Sequence, residues 1–239
     1  MKNKTGVQEW AKHSFNFQKG CLNGCKYCYA RRILKRFEPE VNFDEPEISL
    51  TKTAKALLNK KVGGVIMFPT MHDICSGNKN YYKEFLKILL ENDNKVLVVT
   101  KGNKEILEVI DYLLGWCPEK LNNLEIRVTI GSLKNEVLQH FEPNAPSVYE
   151  RINVLKYAVC SGIENISISC EPMLDDSVVG LLQVAEGLNC EIWFGLANGY
   201  YEEGMPKITD DWVQWLIRIS EQKSKVKLKD SLTGKRNKK

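Results

Sequence analysis

Six short apolar runs, each followed by a helix-like run, constrain the fold of this chain more than any other feature. Residues 13–17 (HSFNF) lead through a cysteine-bearing loop into ARRILKRF. Residues 63–69 (GGVIMFP) precede NYYKEFLKILLEN, and 95–100 (KVLVVT) precede NKEILEVIDYLLGW. Residues 124–130 (LEIRVTI) precede SVYERINVLKYAVCSG, 165–169 (NISIS) precede SVVGLLQVAEGL, and 191–197 (EIWFGLA) precede DDWVQWLIRISEQ. The runs are apolar on both faces or nearly so, which is the pattern of strands buried in a parallel sheet. Strand–helix alternation builds right-handed βαβ units. Ser49, before LTKTAKALLNKK, and Thr209, before the last helical run, read as helix-entry residues. Six such units give an α/β fold, either a partial (βα)6 barrel of parallel strands with outer helices or a doubly wound sheet. In both, ligands bind at the carboxyl ends of the strands.

The 239 residues are 43% hydrophobic and 27% charged, which suits one globular domain with a substantial core. No apolar run reaches the ~18 residues of a membrane span. Met1–Lys12 has no secretory apolar region, so the expected compartment is the cytoplasm and no membrane partner is expected. Eight cysteines in that setting are thiols rather than a disulfide framework. Cys75, Cys117, Cys160, Cys170 and Cys190 stand singly and read as small buried hydrophobes. The net charge of +4 is uneven. Residues 223–239 carry eight Lys or Arg against one Asp, which leaves the other 222 residues at −3. The expected organisation is a domain over 1–222 and a basic, flexible tail over 223–239. An acidic body makes nucleic acid the less favoured partner.

Cys21, Cys25 and Cys28 are spaced C-x3-C-x2-C. Structural zinc takes four protein ligands, and no second cysteine pair is present; His13, eight residues upstream, has no partner of its own. A [4Fe–4S] cluster is normally held by four thiolates, so three leave one iron open to a small molecule.

The triple, after a first strand and with Tyr27 before its last cysteine, resembles the radical S-adenosylmethionine superfamily. Four later segments resemble its spore photoproduct lyase-like branch in their order: FPTMHD (68–73), VVTKGN (98–103), VTIGSLKNEVLQHFEPNAPSVYERI (128–152) and SISCEPML (167–174). The resemblance implies a partial barrel, a [4Fe–4S] cluster and S-adenosylmethionine chelated to the open iron. Reductive cleavage would then yield a 5′-deoxyadenosyl radical that takes hydrogen from the substrate, with a flavodoxin- or ferredoxin-type electron donor. It implies that Lys101 holds the methionyl carboxylate, that Thr129 or Ser132 meets the ribose, and that the Tyr27 backbone meets adenine. Asn198 either lines the adenine end or only forms an Asn-Gly turn. The superfamily's G-G-E-like element is missing. Met71 stands where photoproduct lyase carries a hydrogen-donating cysteine, and Cys75 is the nearest substitute.

Asp73, His72 and Glu171 fall at strand ends and are the candidate catalytic residues. Glu142 either joins them or pairs with Arg151 to lock its loop. Such carboxylates suit a small, nucleobase-like substrate with several N–H donors. No second cysteine cluster follows, and a compact single-cluster member is similar to the bacterial queuine lyases. They cleave queuine to a 7-aminomethyl-7-deazaguanine in salvage. The alternatives are a photoproduct lyase-like enzyme acting on nucleic acid and a non-catalytic iron–sulfur or zinc module.

Overall fold

A computed structural model describes residues 6–116, 118–197 and 202–234. A 3-10 turn (Gly6–Glu9) leads into β1 (His13–Ser14). A short antiparallel ladder of β2 (Gln18–Lys19) and β3 (Glu47–Ile48) then brackets the cysteine loop and helix α1 (Tyr29–Phe37). Next come α2 (Lys52–Leu57), β4 (Val65–Phe68), α3 (Lys79–Glu91), β5 (Lys95–Thr100) and α4 (Glu105–Trp116). They are followed by β6 (Leu124–Thr129), α5 (Asn135–Phe141), α6 (Val148–Cys160), β7 (Ile166–Cys170) and α7 (Val178–Gly187). The chain continues with β8 (Glu191–Phe194), α8 (Asp210–Gln222), β9 (Val226–Leu228) and α9 (Asp230–Thr233).

Each of the six apolar runs contributes a strand to one sheet, ordered β1-β4-β5-β6-β7-β8-β9 and parallel at every pairing. A doubly wound sheet reverses its order at a switch point. This one does not, so the winding is that of a partial barrel. Period-two alternation divides the strand residues between two faces. Ile66, Phe68, Val98, Val128 and Ile168 are fully buried in the main core beneath the helices. Met67, Val99, Thr129 and Ser169 face the barrel interior and line its cavity. Deeper in, Arg127 lies against the Trp10 ring at 4.7 Å and the Trp193 ring at 5.0 Å, and its Nε donates to Ser167 Oγ at 2.7 Å.

Helix entries follow side-chain capping. Thr209 accepts from the Trp212 N–H, and Ser147 with Glu150 forms a full capping box on α6. The α2 cap is Thr51, which accepts from Ala54 at 3.1 Å, not Ser49, whose N–H instead donates to Phe17. Cys170 and Cys190 are buried as expected. Cys160 is exposed and Cys75 half-buried, while Cys117 lies outside the described residues.

The reading of 223–239 as a flexible tail is corrected for its described part. Val226–Leu228 is the edge strand of the sheet, Lys229 is 2% exposed and Leu232 fully buried. The charges that look like a solvated run alternate with Val226 and Leu228, which pair with β8. No helix among the described residues is long and apolar enough to cross a membrane.

Candidate functional site

The loop after β2 is shaped by Gly20. Its φ is +83°, and a Cβ there would lie 2.6 Å from the Phe43 carbonyl, so only glycine fits. That carbonyl accepts the Cys21 N–H at 2.9 Å. Cys28 is the residue that opens α1. Cys21, Cys25 and Cys28 line one cavity of about 190 Å3 at the carboxyl ends of the strands. Burial pushes the Cys21 thiol up to about 11 and the Cys25 thiol up to about 12. Among the described residues no three His, Cys, Asp or Glu side chains are grouped to grip one metal ion.

Asp73, after β4, is fully engaged. Its carboxylate accepts the Asn23 Nδ2–H at 2.9 Å, the Lys101 N–H at 2.8 Å and the Ile74 N–H at 2.8 Å. Burial raises its pKa, and the Thr100 hydroxyl with the Lys101 and Ile74 N–H groups opposes the rise. Asp73 therefore ties the cysteine loop to the end of β5. Its neighbour His72 is 8% exposed, lines the cavity and packs edge-on against Phe17 at 4.6 Å, with neither ring nitrogen hydrogen-bonded. Burial lowers its pKa to about 3, so the imidazole is neutral.

Lys101 and Tyr27 meet at Glu142. Lys101 Nζ lies 2.7 Å from Glu142 Oε1 and 2.9 Å from the Tyr27 hydroxyl, which itself donates to Glu142. The other carboxylate oxygen accepts from Arg151, whose Nη1 also donates to the Thr129 carbonyl at 2.9 Å. Glu142 and Arg151 are fully buried. Burial alone would raise the Glu142 pKa, but Lys101 and Arg151 outweigh it and hold the group down at about 2. Burial alone would likewise lower Lys101, and Glu142 reverses this to a net rise. The loop-locking pair of Glu142 and Arg151 is thus present, and Lys101 and Tyr27 extend it to the cavity. Two cations share one carboxylate, which leaves one positive charge.

The geometry separates the two hydroxyl candidates. Thr129 lines the cavity, whereas Ser132 is fully buried and donates to Asp175 at 2.7 Å. Met71 lines the cavity and Cys75 does not. Asn198 lies outside the described residues.

Glu171, after β7, has a partner that sequence reasoning missed. Lys229, beyond β9, reaches both its oxygens at 3.0 and 2.9 Å. Burial raises the Glu171 pKa, and Lys229 offsets this only in part. Asn16 and Asn23 were also missed. The Asn16 side chain accepts from the Thr70 and Met71 N–H groups at 2.8 and 3.1 Å and so shapes the loop carrying His72. For Asn16 the available signal was residue type, since an amide beside a strand end tends to bond backbone.

The seven-stranded parallel winding with its cavity at the strand ends is the fold of the radical S-adenosylmethionine partial barrels, in the form seen in spore photoproduct lyase. The structure of that lyase complexed with dinucleoside spore photoproduct matches with a TM-score of 0.61 at 16% identity, over 91% of this chain and 76% of the lyase. Streptococcus suis SuiB bound to S-adenosylmethionine matches with a TM-score of 0.53 at 12% identity, over 87% of this chain and 44% of SuiB. In sequence, the chain is 25% identical over 170 residues to an uncharacterized protein of Methanocaldococcus jannaschii. That match takes in 70% of this chain and 62% of the relative, so the chain spans less than two thirds of it. No family model matches.

Proposed function

We propose that this protein is a radical S-adenosylmethionine enzyme acting on a small nucleobase-like molecule, and that its reaction is the lyase cleavage of queuine to a 7-aminomethyl-7-deazaguanine. One observation carries the reading. A single cavity runs from the three cysteines past Lys101 and Thr129 to Glu171, the last three at the carboxyl ends of parallel strands. When bound, a [4Fe–4S] cluster and S-adenosylmethionine supply a 5′-deoxyadenosyl radical able to take hydrogen from the substrate.

Cys21, Cys25 and Cys28 hold the cluster. The surplus positive charge of Lys101, Glu142 and Arg151 suits the methionyl carboxylate, with Thr129 placed for the ribose. Asp73 acts by position, keeping Asn23 and the Lys101 backbone in register. His72 offers a neutral donor or acceptor to a ligand. Met71 has no S–H bond, so it walls the cavity without relaying a hydrogen atom. The reducing electron would come from a small flavodoxin- or ferredoxin-type protein.

The test is anaerobic incubation of the reconstituted, reduced protein with S-adenosylmethionine and queuine, following both by mass spectrometry. The expected result is the aminomethyl base, formed only when the cofactor is present. Unchanged queuine beside background cofactor cleavage contradicts the substrate assignment. A second reading, a lyase acting on nucleic acid, is favoured by the dinucleoside bound to the neighbouring fold. It requires salt-dependent DNA binding by the full chain, and no binding removes it.

A further inference from the structure

The Glu171–Lys229 pair lines the β7–β9 side of the cavity, with β7 four strands across the sheet from β1. An ammonium carries three N–H bonds, and a carboxylate has about four lone-pair sites. Two N–H bonds of Lys229 go to the two Glu171 oxygens at 3.0 and 2.9 Å. The third has no acceptor in hydrogen-bond reach among the described residues. Glu9 Oε1 is 3.9 Å away, and the Trp10 ring lies 4.2 Å from Nζ. The pair thus keeps one spare donor beside spare acceptor sites.

The pair's surroundings direct these free sites. On the β8 side stands Gly195, where a Cβ would lie 3.0 Å from Glu171 Cδ and 3.0 Å from Lys229 Cδ. That side is filled, and the open side is the cavity. Trp10, whose ring lies beside Lys229, lines the cavity here and offers flat, apolar contact. The Trp10 Nε1–H is buried without a partner. A buried ion pair is weak evidence for stability, because a well-packed apolar pair does as well or better. Its presence on a cavity wall points to a ligand.

We propose that Glu171 and Lys229 together read the lactam edge of a flat heterocyclic substrate. Lys229 donates to a ring carbonyl, and Glu171 accepts from the adjacent ring N–H. The inference rests on the nucleobase-like reading above and deepens it by naming the edge recognised. Lys229 is a specificity-determining residue and takes no part in breaking bonds. A ring with an amino group in place of the carbonyl sets a donor against the Lys229 donor. Its bare ring nitrogen faces the Glu171 acceptor, so both contacts are lost and buried groups are left unpaired.

The probes are 7-deazaguanine and 7-deazaadenine, titrated calorimetrically into the reconstituted, unreduced protein with S-adenosylmethionine bound. Wild type should bind 7-deazaguanine at least about 100-fold more tightly, the scale at which a hydrogen-bonding site rejects a mismatched ring. The double variant Glu171→Gln with Lys229→Met removes both charges of the pair together, and Glu9, which loses the Lys229 contact at 3.9 Å, keeps its bond from the Asp230 N–H. The variant should reduce the preference to below about 3-fold while S-adenosylmethionine still binds. Gly195→Ala, which crowds the pair, should weaken 7-deazaguanine binding about 10-fold and carries the test if the double variant does not fold. Equal binding of the two bases, binding of neither, or an unchanged preference in the variants overturns the proposal. Formation of 5′-deoxyadenosine after reduction, with no base added, then shows whether the radical reading survives that failure.

Discussion

Glu142 is the residue on which the Lys101 side of the cavity turns. One fully buried carboxylate serves Lys101, Arg151 and Tyr27. Glu142→Gln leaves two buried cations without an anion, and loss of one partner of a buried pair typically costs about 3–5 kcal/mol. Urea denaturation should show that loss, and a change below about 1 kcal/mol contradicts the network. His72 makes a prediction of opposite chemistry. Its folded pKa is about 3 against 6.5 for an ordinary imidazole, so between those values the unfolded chain binds the extra proton and stability falls as pH drops. Wild type should lose about 2 kcal/mol more than His72→Gln between about pH 7.5 and 5, measured by urea denaturation at each pH. An equal loss in both contradicts a buried, neutral imidazole. The FEPNAPSVYER segment let the Glu142–Arg151 pair be read from sequence, because acid and base sit within reach of one loop. Asn23 and Lys229 were not legible. Their partners, Asp73 and Glu171, lie 50 and 58 residues away in the chain.

At the scale of elements, β9 and α9 complete the wall that Glu171 faces. Both short elements sit in a basic stretch, so the charge pattern hid them while the six apolar strands stood out. Burial on both faces makes a strand visible as an apolar run, and an edge strand three residues long leaves no such trace. The segment is also tied to the other end of the described chain, since the Asp230 N–H donates to Glu9 at 2.6 Å. A chain stopped after Lys225 should therefore lose more than a frayed end would. It gives up the buried Leu232 and Val226 and leaves Glu171 unpaired, and a drop in Tm of several degrees by circular dichroism is expected. An unchanged Tm would return the segment to the status of a tail. Helix entry gives a finer test. Ser147→Ala removes the capping box of α6 and should cost about 1 kcal/mol in urea denaturation.

For the whole molecule, the sequential parallel winding brings the ends of β1 and β4 to β9 around one cavity. The strand–helix alternation made this architecture legible, because buried parallel strands and amphipathic helices differ in period. The choice between barrel and doubly wound sheet was not legible, since strand order depends on long-range pairing that no local pattern records. The fold places three cysteines, a cationic network and the Glu171–Lys229 pair around the same space, and the proposal is that this space runs radical chemistry. The direct measurement is 5′-deoxyadenosine, quantified by mass spectrometry after anaerobic reconstitution and reduction with S-adenosylmethionine present. The account predicts about four iron per chain and 5′-deoxyadenosine from wild type. It predicts that both are lost when Cys21, Cys25 or Cys28 is replaced by Ala. One zinc per chain, or a fully loaded cluster that yields no 5′-deoxyadenosine, would contradict it.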